Sequence, residues 1–366
     1  MKKIKINGNC PNCGSQLKYD PSKNKIKCIS CSSTFEVESL GKGNLDNEER
    51  DYYETLSKLR ENKITKQIVT SLNCRNCGAM LRCDNNTLSY ICPFCGSSHI
   101  VETNLEEEII PINGIVPFSI DIEECNLKFH NWIKRKFFAP NKFKKTTFQL
   151  DLYQVYLPFW TFDMECVTEY EARRGDYIDV PVEDVDINGN KILRYEKEIR
   201  WSRRNGICNN SFDDVLVFGS TSNQTNRYNI NKVCNFNFNN MEKFNPEFLI
   251  GYPGEKISLP LEEGFKQAKQ NVKPKIEETI EWDVGGDEVR IISTHTTYSD
   301  ITFKQVLVPI YNGIYSYNGR QYNFAMNGQT GKFSGGYPIS GVKVFFLTIF
   351  IIAIILSVVA FIVSAS

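Results

Sequence analysis

The longest uniform stretch of the chain is apolar: residues 344–363 pass without a single charge and are rich in Ile, Phe, Val and Leu. At about 1.5 Å per residue, a helix of these twenty positions covers about 30 Å, the hydrocarbon thickness of one bilayer. It is apolar on every face and only Ser364, Ala365 and Ser366 follow it, so the pattern predicts a transmembrane helix over 342–363 rather than a covered core helix. Elsewhere the periodicity is amphipathic. Ile122, Cys125, Phe129 and Ile133 recur at helical spacing, Ser119 suits the N-cap, and Asp121, Glu123 and Glu124 fall in the first turn. A helix is therefore expected over 119–137, closed by Ala139-Pro140, and a second over 262–282 with a break at Pro274.

Between these helices and the apolar tail the texture is mostly strand. Residues 154–160 and 305–311 share Gln-Val-x-[Leu/Val]-Pro-[Phe/Ile]-[Trp/Tyr], each after a helical stretch, which suggests a duplicated unit of helix followed by antiparallel strands. Pro158 and Pro309 are expected at an edge or a bulge, because proline has no N–H for a central ladder. Asn188-Gly189 and Asn318-Gly319 mark type I′ hairpins. Segregated helices and antiparallel strands give an α+β domain over 104–341.

The candidate chemistry lies upstream of that domain. Cys10-Pro-Asn-Cys13 with Cys28-Ile-Ser-Cys31, and Cys74-Arg-Asn-Cys77 with Cys92-Pro-Phe-Cys95, each read CxxC, fourteen residues, CxxC. Four thiolates at that spacing close a tetrahedral all-sulfur site, which predicts two tandem zinc ribbons over 1–38 and 71–103. A shift of 64 residues also superposes Gly14 on Gly78, Leu17 on Leu81, Asp20 on Asp84, Val37 on Val101 and Glu38 on Glu102, so the ribbons are read as an internal repeat. Cys83 falls opposite Tyr19 and is not counted as a ligand. With no vacancy for water, two Zn2+ ions in such sites are structural, each contributing on the order of 10 kcal/mol to folding; iron in the same geometry is the rival. Residues 39–70 read as a flexible joint at Gly41-Lys-Gly43 and a short solvated helix around Tyr53, Leu56 and Leu59.

Charge and composition narrow the context. The 43 basic and 43 acidic residues cancel, so no global field attracts nucleic acid, which weakens the familiar ribbon role. Cys83, Cys125, Cys166, Cys208 and Cys234 remain after eight ligands are removed, and an odd set of thiols beside metal thiolates points to a reducing compartment. The N-terminus has basic residues but no apolar stretch, so no secretory signal is expected. Ser334-Gly335-Gly336 before the apolar tail imitates a lipid-anchor signal, which the missing leader argues against. Lys332 and Lys343 precede the segment, which fits a cytosolic N-terminal side and a tail-anchored, single-pass protein of the cell membrane. The run Lys134-Arg135-Lys136, Lys142, Lys144 and Lys145, interleaved with Phe137, Phe138 and Phe143, resembles a nucleic-acid or membrane-surface patch. With acids nearby, it is read as decoration of a helix end and a loop.

Catalytic patterns do not assemble. Asn327-Gly-Gln-Thr-Gly-Lys332 has two residues between its glycines, not four, and Phe333 after the Lys, so it is a turn and not a phosphate loop. His99, His130 and His295 lie in no HExxH or triad pattern; His99 is placed beside the last knuckle rather than among its ligands. Gly285-Gly286-Asp287 is read as a turn. No enzyme activity is expected.

Taken together, Pro117-Phe118, Leu157-Pro-Phe-Trp160-Thr-Phe162, Gly285-Gly-Asp287, Tyr298-Ser-Asp-Ile-Thr-Phe-Lys304 and Val308-Pro309 resemble the YdjG-like family of bacterial zinc-ribbon membrane proteins, often labelled TFIIB-type or primosomal helicase-like. Tyr315-x-Tyr317, Asn327-Gly-Gln-Thr-Gly331 and Pro338-x-Ser340 extend the likeness over nearly the whole chain; Tyr311 stands where Trp is expected. The resemblance implies a membrane-anchored cytosolic adaptor that associates with a related membrane protein and with phage-shock and SPFH-type proteins at stressed membranes. It implies no catalytic residue and carries over only the eight cysteines. The expectation is thus of two ribbons on a hinge that capture protein partners. The alternative is a membrane-tethered nucleic-acid binder using Lys2, Lys3, Lys5, Lys18, Lys23, Lys25 and Lys27 of the first ribbon.

Overall fold

The computed structural model describes residues 9–20, 25–36, 49–61, 66–82, 92–94, 97, 100–108, 110–146, 148, 150–185, 191–221 and 226–365. Strands β1 (Leu17–Asp20), β2 (Lys25–Cys28) and β3 (Thr34–Glu36) form a small antiparallel sheet. Next come β4 (Arg50–Asp51), α1 (Tyr52–Arg60), β5 (Lys66–Cys74), β6 (Met80–Arg82), β7 (Ile100–Glu108) and β8 (Gly114–Ile115). Helices α2 (Ile122–Lys134) and α3 (Asn141–Lys145) lead into two long strands, β9 (Asp151–Val185) and β10 (Lys191–Phe218). The chain continues through α4 (Arg227–Val233), β11 (Glu242–Lys243), β12 (Gly254–Glu255), α5 (Leu261–Val284), β13 (Glu288–Tyr317), β14 (Arg320–Asn327) and β15 (Phe333–Gly335), and ends in α6 (Gly341–Ala365). Among the described residues, fifteen strands and six α-helices give the mixed α+β class, with all strands from β4 onward in one sheet.

Residues 155–162 of β9 are buried without interruption, which places them at the centre, covered on both faces. Their partner is the other copy of the shared motif. Gln154 faces Tyr311, Leu157 faces Val308 and Trp160 faces Gln305, so the two seven-residue segments pair antiparallel about the Leu157–Val308 position. Around that point the molecule repeats itself. β9 gains parallel β12 at Tyr156 and antiparallel β10 from Phe159; β13 gains parallel β8 at Leu307 and antiparallel β14 from Ile310. Gly219 N–H donates to Pro158 O (2.9 Å) while Ser258 and Leu259 donate to Gly219 O; Gly328 N–H donates to Pro309 O (2.8 Å) while Ser119 and Ile120 donate to Gly328 O. Neither proline is at an edge. Each falls where its strand exchanges one outer partner for the other, so its missing N–H interrupts no ladder.

Successive residues of a strand face opposite ways. On one face, Trp160, Phe162, Met164, Cys166, Tyr170 and Ala172 pack against α5, whose Gly264, Ala268, Val272, Ile276, Ile280 and Val284 recur every fourth residue. The expected break at Pro274 is absent and the helix runs unbroken for 24 residues. Pro274 lies on the solvent side and so does Gln270, whose carbonyl loses its intrahelical donor and is left to water, while the buried stripe holds both halves to the sheet. Helix α1 is likewise docked rather than solvated: Tyr52 and Leu56 are buried, and the Tyr52 ring lies 4.6 Å from that of Phe265. Helix α2 starts later than expected, because Asp121, not Ser119, caps it by accepting from Glu124 N–H at 2.7 Å. Asn318 (φ 49°) and Gly319 (φ 74°) form the expected I′ hairpin between β13 and β14. Asn188-Gly189 lies outside the described residues.

Candidate metal centres

At both cysteine segments the same local device recurs. Cys10 N–H donates to Ser15 O, Cys28 to Ser33 O, Cys74 to Ala79 O and Cys92 to Ser97 O, at 2.7–2.9 Å. Gly14 (φ 75°), Ser32 (φ 59°) and Gly78 (φ 74°) follow the second cysteine of a pair in the left-handed region, which wraps the backbone around the sulfurs. Gly14 and Gly78 N–H close the same turn onto Cys10 O and Cys74 O, both at 2.8 Å. The sulfurs converge as a result. Those of Cys10, Cys13, Cys28 and Cys31 lie within 4.8 Å of one another, as do those of Cys74, Cys77 and Cys92; Cys95 and Cys83 lie outside the described residues.

The sulfur separations decide between chemistries. Cys10–Cys31 is 3.6 Å, Cys13–Cys28 3.5 Å and Cys77–Cys92 3.6 Å, far beyond a disulfide bond of about 2.05 Å. They approach the edge, about 3.8 Å, of a tetrahedron with metal–sulfur distances of about 2.3 Å. The residues present thus fit a metal ion held by thiolates. Burial pushes the Cys10 thiol up to about 11, while hydrogen bonds from Ser33 bring Cys31 down to about 6, so an anionic ligand is available near neutral pH.

Both clusters are built into the body of the protein. Cys10, Leu17, Tyr19, Ile26 and Cys28 pack with Phe118, Tyr156, Tyr252 and Tyr311, and Tyr19 N–H donates to Ile250 O at 2.9 Å. Cys74, Cys77, Leu81, Cys92 and Phe94 pack with Leu157, Phe159, Val306 and Val308 on the other face. The segment expected as a separate unit over 71–103 joins the main sheet through β6 and β12, with Leu81 facing Glu255. Two hinged arms are therefore not what the fold presents. The clusters differ in exposure: Cys13 and Cys31 face solvent beside Ile29, whereas Cys74, Cys77 and Cys92 are buried.

A second constellation escaped the sequence reading. Lys304 is only 4% exposed and its Nζ lies 2.8 Å from Glu49 Oε1 and 3.2 Å from Asp214 Oδ1. Asp163 accepts from Asp214 N–H at 2.6 Å, and the strands on both sides of it change register, at Phe212/Val215 and Ser299/Thr302. Burial pushes the Asp163 carboxyl up to about 7; Lys304 stays charged despite burial because Glu49, Asp214 and Asp163 hold it above its usual value. Asp163, Asp213 and Asp214 also bring carboxylate oxygens within 4.8 Å of one another, but the Lys304 ammonium already supplies the counter-charge there. The one legible signal is a lone Lys within the apolar run of β13; its partner Glu49 lies 255 residues away.

The remaining motifs are structural. Asn327 Oδ1 accepts from Gln329 and Thr330 N–H, both at 2.9 Å, which makes 327–332 a capped turn. Gly285 and Gly286 (φ 62° and 93°) end α5, and Asp287 accepts from Tyr177 N–H at 2.7 Å, just beyond Gly175, the last residue of β9 to pair with β13. Cys125, Cys166 and Cys208 are buried free thiols and Cys234 is half-buried; His130 and His295 stand on separate elements, and His99 lies outside the described residues. Helix α6 is long and apolar enough to cross a membrane over Gly341–Phe361, and none of that window is buried against the rest of the chain.

The chain is distantly similar to a bacterial protein along nearly its whole length. The chain is 27% identical over 349 residues to the uncharacterized protein YdjG of Bacillus subtilis (strain 168), covering 93% of this chain and 92% of that one. No family model matches the chain. No solved structure matches it either.

Proposed function

We propose that the chain is a non-catalytic adaptor, fixed in the cell membrane by α6, with two structural Zn2+ sites on a cytosolic α+β platform that binds protein partners. What carries this reading is the packing of the two cysteine clusters on opposite faces of one sheet, with the apolar helix tied through Lys343 to the turn between α2 and α3. Zinc is preferred to iron for a wholly structural tetrathiolate, and the exposed edge at Cys13, Ile29 and Cys31 offers a metal-fixed recognition surface. The repeated hydrogen bonds at Gly219 and Gly328 support an internal duplication as the origin of the platform. Partners of the phage-shock and SPFH type, at stressed membranes, follow from the family resemblance. Nucleic-acid binding is the weaker reading: Lys18 is turned inward onto Gln154 and the Tyr252 ring, and Lys25 pairs with Glu36.

Affinity purification of the full chain from detergent-solubilised membranes, with mass spectrometry, tests the proposal. Partners retained by the native chain and lost by a Cys13→Ser, Cys31→Ser variant are expected. Identical retention by both would remove the first cluster from the recognition surface, and salt-sensitive RNA or DNA binding in place of protein partners would favour the alternative.

A further inference from the structure

The balanced net charge conceals a polarity along the molecule. No Asp or Glu occurs between Asn126 and Leu150 or between Ile301 and Ser366. The first stretch carries Lys128, Lys134, Arg135, Lys136, Lys142, Lys144 and Lys145. The fold brings these two acid-free stretches together at the root of α6. Ser340 N–H donates to Phe138 O at 2.8 Å, and Lys343 Nζ donates to Phe137 O at 3.0 Å and Ala139 O at 2.8 Å. Lys343 immediately precedes the uncharged run, so the turn between α2 and α3 lies within one helical turn of the hydrocarbon boundary.

The side chains of that turn suit the position. Phe137 is 67% exposed, and Ile339 and Val342, on either side of the first residue of α6, are 65% and 66% exposed. Lys136 lies 4.7 Å from the Trp132 ring and 5.4 Å from that of Tyr337, and aromatic rings of this kind concentrate at headgroup level. Lys134, Arg135, Lys142 and Lys145 are exposed, and none of these or Lys144 has an ion-pair partner among the described residues. The helix dipole of α2 accounts for Lys134, Arg135 and Lys136 but not for the three lysines of α3. The acids of α2, Glu123 and Glu124, sit at its far end, and Glu124 pairs with Lys128.

We propose that residues 134–145 form a collar that docks on an anionic bilayer surface, Phe137 entering the interface while Arg135, Lys142, Lys144 and Lys145 meet phospholipid headgroups. The proposal rests on the membrane reading of α6 and adds a lipid preference to it. Each cation near an anionic surface strengthens contact and the effect fades within a Debye length, so the collar responds to lipid charge and to salt.

The test is amide hydrogen exchange of the full chain in nanodiscs, comparing phosphatidylcholine with a phosphatidylglycerol-containing mixture. Exchange across 134–145 is expected to slow on the order of tenfold in the anionic disc and to recover in high salt. A Lys142→Glu, Lys144→Glu, Lys145→Glu variant is expected to lose the lipid dependence, with unchanged exchange in β9 and β13 as the control for folding. Equal exchange in both discs overturns this inference alone. Lipid-dependent protection that survives the triple variant overturns its assignment to these lysines, and a chain that enters neither disc overturns the membrane reading together with the collar.

Discussion

Cys13 and Cys74 belong to two similar knuckle systems, yet the structure gives them different weights. Cys13 is exposed, whereas Cys74 is fully buried in the apolar cluster that also holds Leu81 and Phe94. Cys13→Ser is expected to lower bound metal from two ions per chain to one, read by elemental analysis, and leave the melting of the main sheet nearly unchanged. Cys74→Ser removes a ligand and also buries a hydroxyl among apolar neighbours, so a stability loss of about 3 kcal/mol or more is expected. Asp163 governs a different response. Its carboxyl titrates near 4 when unfolded and at about 7 when folded, so between those values the folded chain holds the extra proton. Stability from this residue is therefore present at low pH and lost as pH rises towards 7. Thermal melts from pH 5 to 8 should show that decline in the native chain and a flatter profile in Asp163→Asn; parallel profiles would exclude Asp163 as its source.

At the scale of elements, α5 shows how one helix separates buried from idle positions. Ile280 is fully buried against the sheet and Trp282, two residues on, is 83% exposed. Ile280→Ala is expected to cost about 2–5 kcal/mol in denaturant unfolding, and Trp282→Ala less than about 0.5 kcal/mol. The same helix marks where sequence reading stopped. The apolar tail, the cysteine pairs, the Asn318-Gly319 turn and the paired Gln-Val motifs were legible because each is a local pattern with a local cause. The continuity of α5 through Pro274, the docking of α1 and the burial of Lys304 were not, because each depends on a partner remote in sequence: the β9 face, Phe265 and Glu49. The acid-free stretch at 126–150 stands in the sequence, but acids outside it led its basic run to be read as decoration, and its meaning came only when Lys343 placed it beside α6.

On the scale of the whole molecule, the β9–β10 ribbon extends past the sheet, since β13 leaves β9 at Gly175 while β10 stays paired with β9 as far as Val185. Excising residues 179–197 and joining the paired Ile178 and Glu198 through an Asn-Gly turn is expected to leave the melting temperature within a few degrees of the native value, because Val182, Val185, Leu193 and Tyr195 are exposed there. A large drop would show that the ribbon tip supports the core. The pairing of the two Gln-Val motifs has a consequence for how the protein is made. Each half supplies the other with its central neighbour, β13 for β9, and with a short parallel flank, β12 for β9 and β8 for β13. On the ribosome, β9 must therefore wait, its widest apolar stretch uncovered, until residues 301–311 have been synthesised, and α6 follows only 24 positions after Tyr317. With α6 taken as the proposed membrane anchor, the timing of closure and of membrane targeting is tied to one event in translation: the nascent chain gains its finished sheet and its address in almost the same moment, and a delay in either leaves the same surface open to aggregation.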